Sequence, residues 1–220
     1  MVSAACLAAA GMVLAGCGSG GGPSTAKPTV ASLVRTLKAD FRQARSLRMS
    51  GHLSEHGHPI AIDLRMLRSG DIAGTVEMGG AVIRIVRVGS KAYAYVSRSF
   101  FRYLRSARHV PASACSLICG RYVSLPAGAL PKITLAHLAA MMDKHVSVPK
   151  GKLHMSVTTF AGQPAYEVAD AGQDAFFAKN GHQYLIGYRS TKQHLDIVLS
   201  QWNRVPPISP PPVSKIVHVG

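Results

Sequence analysis

Carboxylates are scarce in this chain. Ten Asp and Glu stand against 25 Lys and Arg in 220 residues, a formal net charge of +15. No Asp or Glu occurs from Met78 to Met142, where Arg84, Arg87, Lys91, Arg98, Arg102, Arg105, Arg108, Arg121 and Lys132 all fall. The scattered acids offer no carboxylate pair for general acid–base chemistry. The P-loop and dinucleotide fingerprints are both missing, so no cofactor is expected and the chain reads as a non-enzyme. His52, His56 and His58 bracket a turn with no further ligand in view, so they read as solvated rather than as a metal site. Ser147-Val148-Pro149-Lys150 matches S-x-x-K in form only, because Pro149 breaks the helical turn that motif needs. Basic strands with few aromatics on one face do not match a nucleic-acid reader. Beyond the apolar run from Ala4 to Ala15, no stretch reaches the roughly 18–20 residues that cross a bilayer.

That first run is the most informative stretch present. It ends in Leu14-Ala15-Gly16-Cys17, and Gly18-Ser19-Gly20-Gly21-Gly22-Pro23 follows. Small residues before a Cys, after a short apolar segment, form a signal-peptidase site rather than a spanning helix. The pattern resembles the lipobox of bacterial lipoproteins, with one departure: no Lys or Arg precedes the run. The resemblance implies that residues 1–16 are a leader and that Cys17 is the lipid-attachment site and mature N-terminus. The product is expected on the extracytoplasmic face of the cell membrane, held by lipid. One acyl chain anchors weakly, with a partition constant on the order of 10⁴ M⁻¹, whereas two or three hold firmly. Residues 17–28 read as a flexible tether, of which ten residues reach roughly 17–19 Å. Residues 29–220 read as one domain.

In an exported chain Cys6 leaves with the leader and Cys17 carries lipid. Cys115 and Cys119 remain, one pair suited to a structural disulfide. Positions i and i+4 of a regular helix hold their Cβ atoms about 5–6 Å apart, whereas a disulfide wants about 3.8 Å. A tight loop or distorted turn is therefore expected at 115–119.

Hydrophobic periodicity divides the rest. Val30, Leu33, Val34, Leu37, Phe41 and Ala44 repeat at helical spacing. From Leu47 the period becomes 2, and runs at 47–53, 60–66, 72–78, 82–88 and 92–96 are separated by Gly-containing turns, as in an antiparallel meander. A second helix puts Arg98, Arg102, Arg105 and Arg108 on one face and Phe100, Tyr103, Leu104 and Ala107 opposite. A strand at 121–125 and a third helix carrying Leu135, Leu138, Ala139 and Met142 follow. Strand-like runs resume at 152–160, 163–169, 175–179, 183–188 and 194–202, with Asn180-Gly181 as the strongest hairpin signal. Pro206–Pro212 reads as polyproline, and Ile216-Val217 as a last edge strand.

The strand set thus occurs twice, with helices before and between. Residues Gly79–Tyr93, Arg121-Tyr122-Val123 and Val157–Tyr166 carry a further likeness: the chain is similar to actinobacterial lipoproteins whose fold is like the Lol-type lipoprotein carriers. That resemblance spans most of residues 30–205. It implies an α+β fold, a half-open antiparallel barrel of about 10–11 strands wrapped around a few helices, with an apolar cavity for lipid acyl chains. Met49, Ile62, Leu64, Met66, Ile83, Ile85, Leu138 and Met142 are the expected cavity lining. The alternative is a non-catalytic envelope module whose basic surface, Arg98, Arg102, Arg105 and Arg108, meets anionic head groups or wall polymers.

Overall fold

A computed structural model describes residues 27–55, 57–108, 110–126, 134–145 and 153–218; for residues 55, 107, 108 and 141–145 only the backbone is described. Cys17 with its lipobox, His56 and Ser147–Lys150 lie outside the described residues. The chain enters through α1 (Val30–Gln43), which opens on a capping box: Thr29 Oγ1 accepts from Ser32 N–H at 3.1 Å and Ser32 Oγ accepts from Thr29 N–H at 3.0 Å. Leu33, Leu37 and Phe41, four residues apart, form its buried stripe. At the other end Arg68 donates to the carbonyls of Ala44 (2.6 Å), Phe41 (3.2 Å) and Arg42. A guanidinium there satisfies carbonyls that have no partner within the helix and meets the negative end of its dipole.

The first meander comprises β1 (Ser46–Glu55), β2 (His58–Leu67), β3 (Ile72–Met78), β4 (Ala81–Val88) and β5 (Lys91–Tyr95). Two helices follow, α2 (Arg98–Arg108) and α3 (Ala114–Ile118), then β6 (Tyr122–Leu125) and α4 (Leu135–His145). The second meander is β7 (His154–Phe160), β8 (Gln163–Asp170), β9 (Gln173–Ala178), β10 (Leu185–Ser190) and β11 (Leu195–Ser200). A short last strand, β12 (Ile216–Val217), completes one open, curved sheet of 12 strands in the order β12-β6-β5-β4-β3-β2-β1-β11-β10-β9-β8-β7. The fold is strand-rich α+β, with 12 strands against the expected 10–11, the short edge at Ile216-Val217 among them.

The two meanders join where β1 pairs antiparallel with β11, opposing Gly51 to Ile197. Gly51 has φ +146°, and a Cβ there would stand 2.0 Å from the Asp196 carbonyl oxygen; at Gly74 on β3 it would stand 1.9 Å from that of Asp63. Both positions let neighbouring backbones approach closely where a side chain would force them apart. The inner face, which carries α1 and α4, holds the main core: Leu33, Leu37, Phe41, Leu47, Leu64, Met66, Ile72, Leu135, Phe177, Leu199 and Trp202. A smaller cluster forms around Phe160 and Phe176, stacked at 4.1 Å, with Ala165, Ala178 and Ile186. Gly187 leaves room for it, since a Cβ there would meet the Phe160 ring at 2.1 Å.

Three local expectations are revised. Cys115 and Cys119 are bonded, but α3 supplies one helical turn rather than a loop. Cys115 lies in that turn and Cys119 just past its end, with the Cα atoms 4.8 Å apart. On α2 the sealed side chain is Phe101, packed with Val96 and Val123, while Phe100 is half-buried at the margin of that cluster. Asn180-Gly181 makes no two-residue turn. Asn180 does not take the positive φ that such a turn requires, so the strands stop at Ala178 and resume at Leu185.

After β11 the chain turns through Asn203, whose N–H donates to Ser46 O at 2.9 Å and whose Oδ1 accepts from Arg45 N–H at 2.6 Å. Val205 N–H donates to Ser46 Oγ at 3.0 Å. The proline-rich segment then runs extended from β1 to the far side of the first meander, where β12 pairs parallel with β6, Ile216 opposite Tyr122 and Val217 opposite Val123.

Candidate functional site on the inner face of the sheet

Alternation along each strand sends every second side chain to the inner face, and the strand register arranges these into rows. One row runs Leu199, Met49, Leu64, Gly74, Ile85, Ala94, Val123 from β11 to β6. It is sealed: Leu199, Leu64, Ile85, Ala94 and Val123 are all buried, and Met49 packs half-buried against them. Two residues further toward the β1–β2 tip lies a second row, Met155, Val168, Ala175, Tyr188, Ile197, Gly51, Ile62, Val76, Ile83. It crosses from β7 to β4 without a charged residue. Among its members only Ile197 is fully buried; the others are half-buried. A belt of apolar side chains therefore lies beside the core without being closed over by the described residues.

The expected lining residues divide between the two settings. Leu64, Met66 and Ile85 are sealed in the core, Met66 with 0% exposure. Met49, Ile62, Ile83 and Leu138 are partly buried against it. The side chain of Met142 lies outside the described residues. The second row was not singled out from the sequence beyond Ile62 and Ile83.

Electrostatics leaves the belt apolar. Burial, aided by the charge of Asp174, pushes the Tyr188 phenol up, so the one hydroxyl in the row stays neutral. The nearest ion pairs have the opposite strand parity and so lie on the outer face. Arg48 grips Asp63 with bonds of 2.8 and 2.7 Å, and Arg189 meets Asp196 at 3.3 Å. The Arg48 hydrogen bonds hold the Asp63 carboxyl below the usual range and raise the guanidinium in turn.

A second polar arrangement was invisible in the sequence. Asp40 on α1 meets His182, from the loop where a tight hairpin was expected, with Oδ1 and Nε2 2.7 Å apart and 142 residues of chain between them. Asp40 is buried, and its Oδ2 has no partner among the described residues. Desolvation raises the carboxyl's pKa, against the hydrogen bond and charge of His182. His182 also contacts Tyr184 with its ring tilted by 49°, Tyr184 stacks on Trp202, and Trp202 meets Phe41 edge-on at 5.1 Å. Trp202 Nε1 donates to Leu185 O at 3.0 Å. The chain of contacts begins and ends on α1, which makes it a clasp between that helix and the second meander.

Two hollows open at the ends of the sheet. One, about 490 Å³, lies at the hairpin tips between His52, Pro59, Ala61, Glu77 and Tyr103. The other, about 420 Å³, is lined by Gly70, Arg87, Gly89, Thr134 and His137. Neither includes an expected lining residue. No group of three His, Cys, Asp or Glu side chains converges among the described residues. Among the described helices none is long and apolar enough to cross a membrane.

No family model and no curated protein matches the chain. The functional reading therefore rests on geometry: the half-buried belt on one side, and on another the basic helix α2, where Arg98, Arg102 and Arg105 are exposed. Arg108 continues their spacing, but its side chain lies outside the described residues.

Proposed function

We propose that the protein is a lipid-anchored, non-catalytic binder or carrier of an apolar ligand, lipid acyl chains above all, held in a half-barrel like that of the Lol-type carriers. The observation that carries this reading is the second inner row. A soluble domain normally seals apolar side chains in its core or scatters them singly, and an extended half-buried belt is a place where a ligand can complete the core. Nine strands at about 4.8 Å spacing make the row roughly 38 Å long. Each buried methylene contributes about 0.8 kcal/mol, so ten would supply about 8 kcal/mol against the losses of association. Met155 in the row and Met49 beside it are suited to an alkyl chain of variable shape, because unbranched thioether side chains adapt to irregular space. Anchoring through Cys17 would keep the mouth of the belt near its source of lipid.

Native mass spectrometry of the purified full chain tests this. Co-purifying lipid is expected, and Ile62→Ser with Ile83→Ser should deplete it while the fold survives. A clean ligand-free mass from several expression hosts, with no uptake of a fluorescent fatty acid, would overturn the reading.

A further inference from the structure

The two-helix insertion between β5 and β6 has a surface that the apolar belt does not explain. Arg98, Arg102 and Arg105 are exposed on α2, and none is ion-paired among the described residues. Arg121 is exposed just beyond α3. No carboxylate exists in this stretch to neutralise them, since the sequence has none from Met78 to Met142. The same unit presents Leu117 at 66% exposure. Leu117 sits between Cys115 and Cys119 on α3, so the disulfide holds it on a stapled turn while Cys115, Ile118 and Cys119 pack inward on Val96, Phe101 and Val123. A protruding leucine on a rigid turn, in the same two-helix unit as exposed arginines without ion pairs among the described residues, combines the two attractions that hold a protein at an anionic bilayer: apolar insertion below the head groups and charge above them.

We infer that α2 and α3 form a membrane-contact surface for anionic phospholipid head groups, with Arg98, Arg102 and Arg105 at the phosphates and Leu117 in the interface. The inference is independent of the apolar-ligand reading, since it uses a different face and none of the belt residues. Charge and an exposed apolar tip together favour a bilayer over a wall polymer, which offers charge alone.

The test is sedimentation of the full chain carrying Cys17→Ser with phosphatidylcholine vesicles, with and without phosphatidylglycerol. The apolar leader partitions into both vesicle types, so preference for the anionic ones reports the helical surface. Each arginine near such a surface is worth a little under tenfold, so Arg98→Ser, Arg102→Ser and Arg105→Ser together should weaken that preference on the order of a hundredfold. Replacing the same three by Lys should retain it. Leu117→Ser, at an exposed site, should weaken binding about tenfold. Circular dichroism checks that each variant is folded. Equal binding of the wild type to both vesicle types, or an unchanged preference in the triple Ser variant, overturns the inference. Arginine-dependent binding to purified wall polymer without vesicle binding also overturns it. A ligand-free mass spectrum would leave it untouched.

Discussion

Two rows of side chains lie next to each other on the inner face, built from the same kinds of residue and sharing strands β11, β1, β2, β3 and β4, yet their surroundings differ. Leu64 and Ile85 are buried, whereas Ile62 and Ile83, one inward step along, are half-buried. Leu64 and Ile85 belong to the cluster that holds the α1 and α4 side chains, whereas Ile62 and Ile83 pack at its margin. That margin is where we place the ligand.

Substitutions can break or sharpen this contrast. The largest effect is expected at the sealed row: Leu64→Ala should cost about 2–5 kcal/mol in urea unfolding, since the close-packed core cannot refill the space. The partner variant Ile62→Ala should cost roughly 1 kcal/mol or less and act on lipid retention instead. Equal costs would erase the distinction between the rows. Gly51→Ala asks whether the bend at the β1–β11 junction is needed. Its Cβ would meet backbone at 2.0 Å and its φ is +146°, so a loss of about 3 kcal/mol is expected. An unchanged midpoint would show that the strands can part at no cost.

Breaking the staple with Cys115→Ser and Cys119→Ser removes about 2 kcal/mol on the loop-entropy argument. Proteolysis should then cut first within 98–120 and leave both rows protected. Cleavage spreading to the meanders would mean that α2 and α3 support the sheet.

The smallest effect concerns the clasp at Asp40. Its folded pKa lies above the ordinary 3.8, so the folded state holds this proton more tightly than the unfolded chain does. The group's stabilising contribution is complete below that value and is lost as pH rises through the folded pKa. Unfolding midpoints of the wild type, set against those of Asp40→Asn, should therefore fall as pH rises above the ordinary carboxyl value and then level off once the folded carboxyl is ionised. Parallel curves would show that burial does not act on this carboxyl.

Much of the fold was legible. Period-2 alternation, with Gly-containing turns at most of the joints, marked the strands of the two meanders, and helical spacing marked α1, α2 and α4. The candidate site was legible only in part. Leu64 and Ile62 share one strand and one parity, so no pattern along the chain tells which a helix will cover. Phe100 and Phe101 are both apolar, and only the position of Val96 and Val123 decides which is sealed. Asp40 and His182 meet across 142 residues, through a loop whose Asn-Gly promised a tight turn. Cys115 and Cys119 meet across a single helical turn with their Cα atoms 4.8 Å apart, a closeness that residue spacing cannot report.

The parallel strand β12 sits on one rim of the sheet, while β7, at the opposite rim, has no strand beside it among the described residues. An open sheet with two bare rims can add copies of itself without end, as fibres do. Here the rim at β12 offers an incoming strand only two residues of backbone, against seven at β7. Very short edge strands are one way in which sheets discourage such growth, so β7 is the rim at which a second copy would find the longer template.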